Sequence, residues 1–404
     1  ESDMYLEPDP NTYAKLPDNG ISTARIICDV YTPEGEPFEG DPRYILKKVL
    51  KEAGDMGYRF LVGPDLEFYL FEQRNSGGLL PATHDVAGYF DFSPRDLAAE
   101  VRKEMVLALQ DMGLDVEMSH HECGPGQHEI DYRFDEALVT ADRAITFKQV
   151  VKSIANEHDL YATFMAKPIF GEAGSGMHAH QNLADIDTGK NVFPDEKDEY
   201  GLSEIAKSFI AGQLKHVKGF CAVTAPTVNS YKRLVAGYEA PVHISWAGTN
   251  RSALIRIPRY SPGKEQSTRA ELRCPDPSCN PYLAFAVMLK AGLDGIKRKL
   301  TLPEPVEEDV YLMDESKRRE QGIDRLPGSL GEAIEELERD KVIREALGPH
   351  TFQTYVKAKT AEWEEYKAQV TKLRGIKDIL RFFKKNKYKA QVTRWEHNRY
   401  FEVL

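Results

Sequence analysis

"HHECGPGQHEIDYRF", His120 to Phe134, sets charged and imidazole side chains on both sides of a Gly-Pro-Gly turn. Turn residues between two alternating segments read as a β-hairpin. The hairpin has two readings. It is a solvated ribbon, the ordinary place for charged side chains, or it is one wall of a cation site, because three histidines, three acidic residues and an arginine crowd a single turn. The stretch alone leaves both open.

The rest of the chain bears on the choice. "PDLEFYLFE" (64–72), "HEIDYRF" (128–134), "GMHAHQNL" (176–183) and "RAELRCP" (269–275) place charged or imidazole groups at i, i+2 spacing, hence on one face of a strand, and "ALIRIP" (253–258) sets one arginine in a similar run. A wet sheet face mixes Lys, Glu, Thr and Ser. Here carboxylate, histidine and arginine recur and lysine is absent from all five segments, which is the composition of a ligand cavity. Asp65 with Glu67, Glu122 with Glu129, His178 with His180, and Glu271 would gather several carboxylates, and packed anions either take up protons or hold a cation. An oxygen-rich site with one imidazole suits Mg²⁺ or Mn²⁺ better than zinc, and two ions could share these ligands.

Anions are expected opposite, where Arg233, Arg251, Arg256, Arg269 and Arg273 cluster, since guanidinium forks match carboxylate and phosphate. Divalent metals facing arginines suit phosphoryl transfer. "GEAGSGMHAH" is glycine-rich but lacks the P-loop lysine, so a nucleotide must bind another way.

The 404 residues can bury a large core, and the net charge of −11 excludes a nucleic-acid-binding balance over the whole molecule. Five cysteines, scattered and never spaced as CxxC, argue against a disulfide framework and fit a reducing cytoplasm. The most apolar run, "YLAFAVML", breaks at Lys290, far short of a membrane span of roughly 20 residues; a soluble, cytoplasmic protein is expected. Residues 1–40 read as β- and turn-rich, a small unit ahead of the main domain. Asp41-Pro42 then opens an amphipathic helix, with further helices from Ser93 ("SPRDLAAEVRKEMVLAL") and Asn280 ("NPYLAFAVMLKAGLDGI").

Six ordered segments, "GPDLEF", "HHECGPGQHE", "KPIFGEAGSGMHAH", "NSYKRLVAGYEAPV", "NRSALIRIP" and "RAELRCPDPSCNPYLAF", give the chain its resemblance to the type I glutamine synthetases, in the branch that is not adenylylated. The resemblance implies an α+β fold: the remainder of a β-grasp domain (1–40), then a catalytic domain (41–404) built on an antiparallel sheet that forms half of an open barrel, flanked by helices. It implies two stacked hexameric rings with active sites shared between neighbours, leaves room for regulatory protein partners, and involves neither nucleic acid nor membrane.

The resemblance also implies roles. One metal falls to Glu67, Glu122 and Glu129, the second to Asp65, His178 and Glu271. Arg233 clamps the α-carboxylate of L-glutamate beside Gly174, Arg273 takes its side-chain end, Glu67 and Glu122 also face this substrate, and Arg251 and Arg256 hold the transferring phosphate. Glu117, Phe134, His180, Asn182 and Arg269 surround ATP, to which Arg251 also reaches. Glu239 lies on a flap and takes a proton from ammonium; Tyr89 lines the ammonium pocket. The implied reaction is ATP-dependent ligation of ammonia to the γ-carboxylate of glutamate through γ-glutamyl phosphate. A γ-glutamyl amine or polyamine ligase, and a non-catalytic family member, are the alternatives.

Departures from the family pattern carry their own expectations. Asp65 stands in place of glutamate, one methylene shorter, and Ala173 in place of an asparagine that touches the amino-acid substrate. The chain starts midway through the implied β-grasp domain, so a trimmed chain is expected. Tyr311 aligns with the adenylylated tyrosine but lacks its context, and reads as an ordinary surface residue. "YKAQVT" occurs at 366–371 and again at 388–393, so residues 366–387 read as an insertion, whose "KLRGIKDILRFFKKNK" makes a basic amphipathic helix.

Overall fold

The Gly-Pro-Gly hairpin forms as its turn chemistry requires. In the computed structural model, which describes residues 3–17, 23–73, 82–372, 392–401 and 403–404, β6 (Val116–His121) and β7 (Gln127–Tyr132) pair antiparallel across it. They are not a solvated ribbon: His120, His121, His128 and Glu129 are all buried.

The hairpin is one edge of a nine-stranded sheet in the order β11-β12-β13-β10-β5-β7-β6, with β8 (Asp135–Glu136) and β9 (Leu160–Thr163) also paired to β5. The long β5 (Tyr58–Glu72) is its spine and pairs with both β7 and β10 (Met177–Asp185). β13 (Ala270–Leu272), β12 (Ile255–Arg256) and β11 (Trp246–Ala247) complete the far side. All five segments therefore contribute to one sheet. The wholly antiparallel sheet expected from the resemblance needs one correction, because β11 and β12 run parallel. No closed barrel forms on this strand path. The N-terminal region contributes two small ribbons, β1 (Tyr5–Pro8) with β4 (Cys28–Tyr31) and β2 (Ala14–Lys15) with β3 (Ala24–Arg25). Buried Arg43, at the start of α1, ties these to the rest by bonding Asp9, Asp29 and Asp142.

The helices pack behind the sheet. α1 (Pro42–Asp55) starts at the expected Asp41 cap, whose carboxylate accepts from the Arg43 N–H, with proline in the first turn. α2 (Ala99–Asp111) starts later than expected. Asp96 accepts from the Ala98 N–H, and Asp85 from the Leu97 N–H, so side chains capture backbone donors that a helix from Ser93 would need. α3 (Ala137–Glu157) lies under β9. α4 (Glu204–Thr224) crosses α6 (Pro281–Arg298), which starts at the expected Asn280 cap. Their closest approach is glycine against glycine: a Cβ on Gly212 would lie 2.2 Å from the Ala291 carbonyl oxygen, and one on Gly295 2.0 Å from that of Ser208. α5 (Ser230–Arg233), α7 (Glu315–Glu320), α8 (Leu330–Arg339) and α9 (Lys341–Lys372) follow, α9 being kinked at Gly348. The first "YKAQVT" copy lies in α9, whereas the basic helix expected at 372–387 lies, past Lys372, outside the described residues. Among the described residues no helix is long and apolar enough to cross a membrane.

Candidate active site

Strand register does the gathering. Asp65 stands opposite Asp131 and Glu67 opposite Glu129 between β5 and β7. His178 faces Asp65 between β10 and β5, His180 faces Glu271 between β10 and β13, and Arg256 faces Glu271 between β12 and β13. Like charges directly opposite one another destabilise a sheet, so two carboxylate pairs side by side call for something else to neutralise them.

The buried carboxyls record that conflict. Burial first, then the Glu122 carboxylate, pushes Glu67 up to about 8. Burial, with Asp65 and Glu129, pushes Asp131 up to about 10, and burial, with Asp65, Glu67 and Glu122, holds Glu129 far above the ordinary range. Glu271 goes the other way: burial raises it, but His180, Arg273 and Arg256 more than reverse this. Its carboxylate lies 2.6 Å from Arg256 Nε.

Two groups have ligand atoms within 4.8 Å of one another at this wall, Asp65 with His178 and Glu271, and His120 with Glu122 and Glu129. The first is the second-metal set that the resemblance implied. The other contains Glu122 and Glu129 but has His120 where Glu67 was expected; His120 Nε2 lies 3.2 Å from Glu129 Oε1. Glu67 sits between the groups, its Oε2 accepting from Gln127 Nε2 and the Gly176 N–H at 2.9 Å each, its Oε1 3.9 Å from His178 Nε2. Oxygen donors with imidazole, anions facing anions, and a buried Asp131 Oδ1 with no hydrogen-bond partner make this wall fit hard divalent cations such as Mg²⁺ or Mn²⁺.

The arginines border this wall directly, Arg256 and Arg273 on Glu271 and Arg269 on His180. Buried Arg233, on α5, donates to the carbonyls of Arg273, Cys274 and Pro275 at 3.0–3.2 Å, and its Nη2 lies 3.3 Å from His178 Nε2. Gly174 is glycine because of it: a Cβ there would lie 2.9 Å from Arg233 Cγ and 2.6 Å from the Ala166 carbonyl oxygen. Ala173 keeps its backbone role, its carbonyl accepting from Tyr69 at 2.6 Å.

These side chains border a cavity of about 1090 Å³ whose lining includes every residue assigned above, from Asp65, Glu67, Tyr89, Glu117 and Phe134 to Arg269, Glu271 and Arg273. Phe134 on its lining is half-exposed. Glu239 lies in a segment whose backbone is held at left-handed φ at Gly237 (96°) and at Glu239 itself (57°). Its carboxylate is 3.8 Å from Arg251.

Sequence reasoning left several residues without a role. His120, Gln127 and Asp131 all line the cavity. Asp131 had a signal, the i, i+2 spacing from Glu129. Gln127, which bonds both Glu67 and the Gly174 carbonyl, had none. Tyr311 is not an ordinary surface residue: it is half-buried and its hydroxyl donates to the Ala240 carbonyl beside Glu239.

Carboxylates and imidazoles suited to divalent cations beside arginines suited to anions, on a mixed helix-and-sheet scaffold, are the layout of an enzyme that moves phosphoryl groups. Similarity to known proteins narrows that class. The family described as "Glutamine synthetase, catalytic domain" matches residues 39–375. The glutamine synthetase of Halobacterium salinarum is 53% identical over 374 residues, 92% of this chain and 82% of that protein. That of Thermotoga maritima is 51% identical over 373 residues, covering 92% and 84%. Among solved structures, "GmaS/ADP complex-Conformation 1" superposes with a TM-score of 0.82 at 33% identity, covering 98% of this chain and 85% of that one. The chain belongs to the glutamine synthetase family.

Proposed function

We propose that this cavity carries out ATP-dependent synthesis of glutamine from glutamate and ammonium, in two steps. The observation that carries this reading is the gathering of register-paired carboxylates and bordering arginines on the lining of one cavity of a glutamine synthetase family chain. In the first step the γ-carboxylate attacks the γ-phosphate of ATP, giving γ-glutamyl phosphate and ADP. In the second, ammonia displaces phosphate. The activation is needed because oxide cannot leave from a carboxylate, whereas phosphate can.

Each set of side chains has its task. Asp65, His178 and Glu271 would hold one divalent metal, and Glu122 and Glu129, with Glu67 or His120, another; such ions, Mg²⁺ or Mn²⁺, supply positive charge against the phosphate oxygens. Arg233, fixed by three carbonyls, orients the α-carboxylate beside Gly174, and Arg273 the side-chain end. Arg251 and Arg256 take the transferring phosphate, with Phe134, Glu117, His180, Asn182 and Arg269 toward the nucleotide. Glu239 accepts the proton that ammonium must lose before it has a lone pair, with Tyr89 lining that end. The same reading implies a homo-oligomer of two stacked hexamers with shared sites.

The test is phosphate release and glutamine formation from ATP, glutamate and a divalent metal, with ammonium compared against putrescine and spermine. Release that depends on glutamate and ammonium together supports the reading. Release driven by the amines alone would move the chain to the γ-glutamyl amine ligases, and none with any acceptor would overturn it.

A further inference from the structure

Lys167 is a buried charged side chain that the mechanism above does not use. It is 1% exposed, and among the described residues no carboxylate pairs with its ammonium group. Burial, then the charge of Arg233, lowers it to about 8. A buried ammonium without an ion pair is costly, so its two contacts identify what it serves. Nζ donates to the Glu172 carbonyl, in the loop that leads to Gly174. It also sits 3.6 Å from the ring centroid of Tyr238, the residue before Glu239. The lysine's own backbone is locked: its N–H donates to Asn229 Oδ1 at 2.7 Å, and its carbonyl accepts from Asn229 Nδ2 at 3.0 Å. Asn229 immediately precedes α5, which carries Arg233.

Three successive residues of the Glu239 segment are thus held from three different places. Tyr238 rests on Lys167, the Glu239 carbonyl accepts from Arg273 Nη2 at 3.4 Å, and the Ala240 carbonyl accepts from the Tyr311 hydroxyl. The carbonyl contacts fix the C-terminal side. The N-terminal side begins with Gly237, which gives it freedom to swing, and Tyr238 is its anchor.

We propose that Lys167 is a positioning residue for amide formation: seated against the Glu172 carbonyl, its ammonium holds the Tyr238 ring and so sets Glu239 over the substrate end of the cavity. The inference rests on the reading of that cavity as a glutamine-forming site. It couples glutamate binding to flap seating, since the loop beside Gly174 and the flap meet at its side chain and the Arg233 segment at its backbone. A cation–π contact biases the seated over the lifted conformation by roughly 2- to 30-fold. When the flap lifts, water attacks γ-glutamyl phosphate, returning glutamate and phosphate with no amide made.

The experiment compares wild type with K167M, which keeps the stem and loses the charge, with K167R, which keeps the charge, and with Y238L, which removes the ring from the exposed side. Phosphate released per glutamine formed should rise above one in K167M and Y238L, with the amide rate falling about 10-fold and the KM for ATP little changed. K167R should restore much of the coupling. Should K167M fail to fold, Y238L decides. A ratio of one in both, or a damaged K167M beside an unaffected Y238L, overturns the proposal. Amide hydrogen exchange over 236–241 without substrates gives a readout independent of activity. Faster exchange in K167M than in wild type and K167R supports the latch even if wild type makes no glutamine, an outcome that would defeat only the reading of the cavity. Equal exchange defeats the latch.

Discussion

On the proposed reading Glu239 and Arg233 divide the chemistry between them, and single substitutions should separate their effects. Replacing Glu239 with alanine removes a base 64% exposed and 3.8 Å from Arg251, so it leaves the walls of the cavity standing. We expect E239A to bind ATP and glutamate nearly as wild type while amide formation falls on the order of 10²; an equal loss of ATP affinity in equilibrium titration would remove Glu239 from this role. R233A should raise the KM for glutamate far more than that for ATP, because a charge-assisted carboxylate contact contributes about 1.5–3 kcal/mol. It should also melt earlier, since three backbone carbonyls lose their donor in a buried place. A glutamate KM unchanged beside a raised ATP KM would contradict the assignment. Lys167 shows where sequence reading stops at this scale. "KPIFGEAGSGMHAH" marks the segment, but only the fold shows that its lysine meets Tyr238.

At the scale of elements, the sheet was legible and the turn before α2 was not. Alternation in these segments reports side-chain direction directly, so their strands and the facing of Asp65, Glu67 and Glu129 could be read. Which strand lies beside which, and hence that Asp65 opposes Asp131, is a matter of register between segments far apart in sequence. The late start of α2 depends on Asp85 reaching the Leu97 N–H from outside the segment, which no local pattern announces. The opposed carboxylates have a pH signature. A carboxyl raised from 4.5 to about 8 in the folded protein contributes stability at low pH that is lost as pH climbs through that window, because above 4.5 the unfolded chain ionises freely and the folded one does not. A divalent cation favours the ionised form and offsets the loss. We therefore expect the rise in Tm on adding Mg²⁺ or Mn²⁺ to metal-stripped protein to be larger at pH 8 than at pH 6, by roughly a few degrees. A rise independent of pH would mean that the wall binds its cation without releasing protons.

For the whole molecule, the repeated "YKAQVT" makes a prediction about deletion. Tyr366, in the first copy, is no bystander: buried in α9, it accepts from Lys232 Nζ at 3.0 Å, one residue from Arg233, and packs against Trp395. Deleting 366–387 brings the second copy into the same place, so a tyrosine again follows Glu365. Specific activity per folded subunit should be kept, with any change confined to assembly or partner binding as read by light scattering and pull-down. Lost catalysis in a normally assembled deletion would show that 372–387 serve the site. Beyond that segment, Glu396 is fully buried, its side chain engaged by the Thr393 cap and by Asn229 Nδ2 at 3.0 Å, a contact across 167 positions of chain. Asn229 is the residue that grips Lys167 and precedes the Arg233 helix. The segment that carries Arg233 is thus braced by a turn near the other end of the chain. A chain cut before Thr393 would keep every residue that lines the cavity and lose the side chain that holds Asn229 from the far end of the sequence.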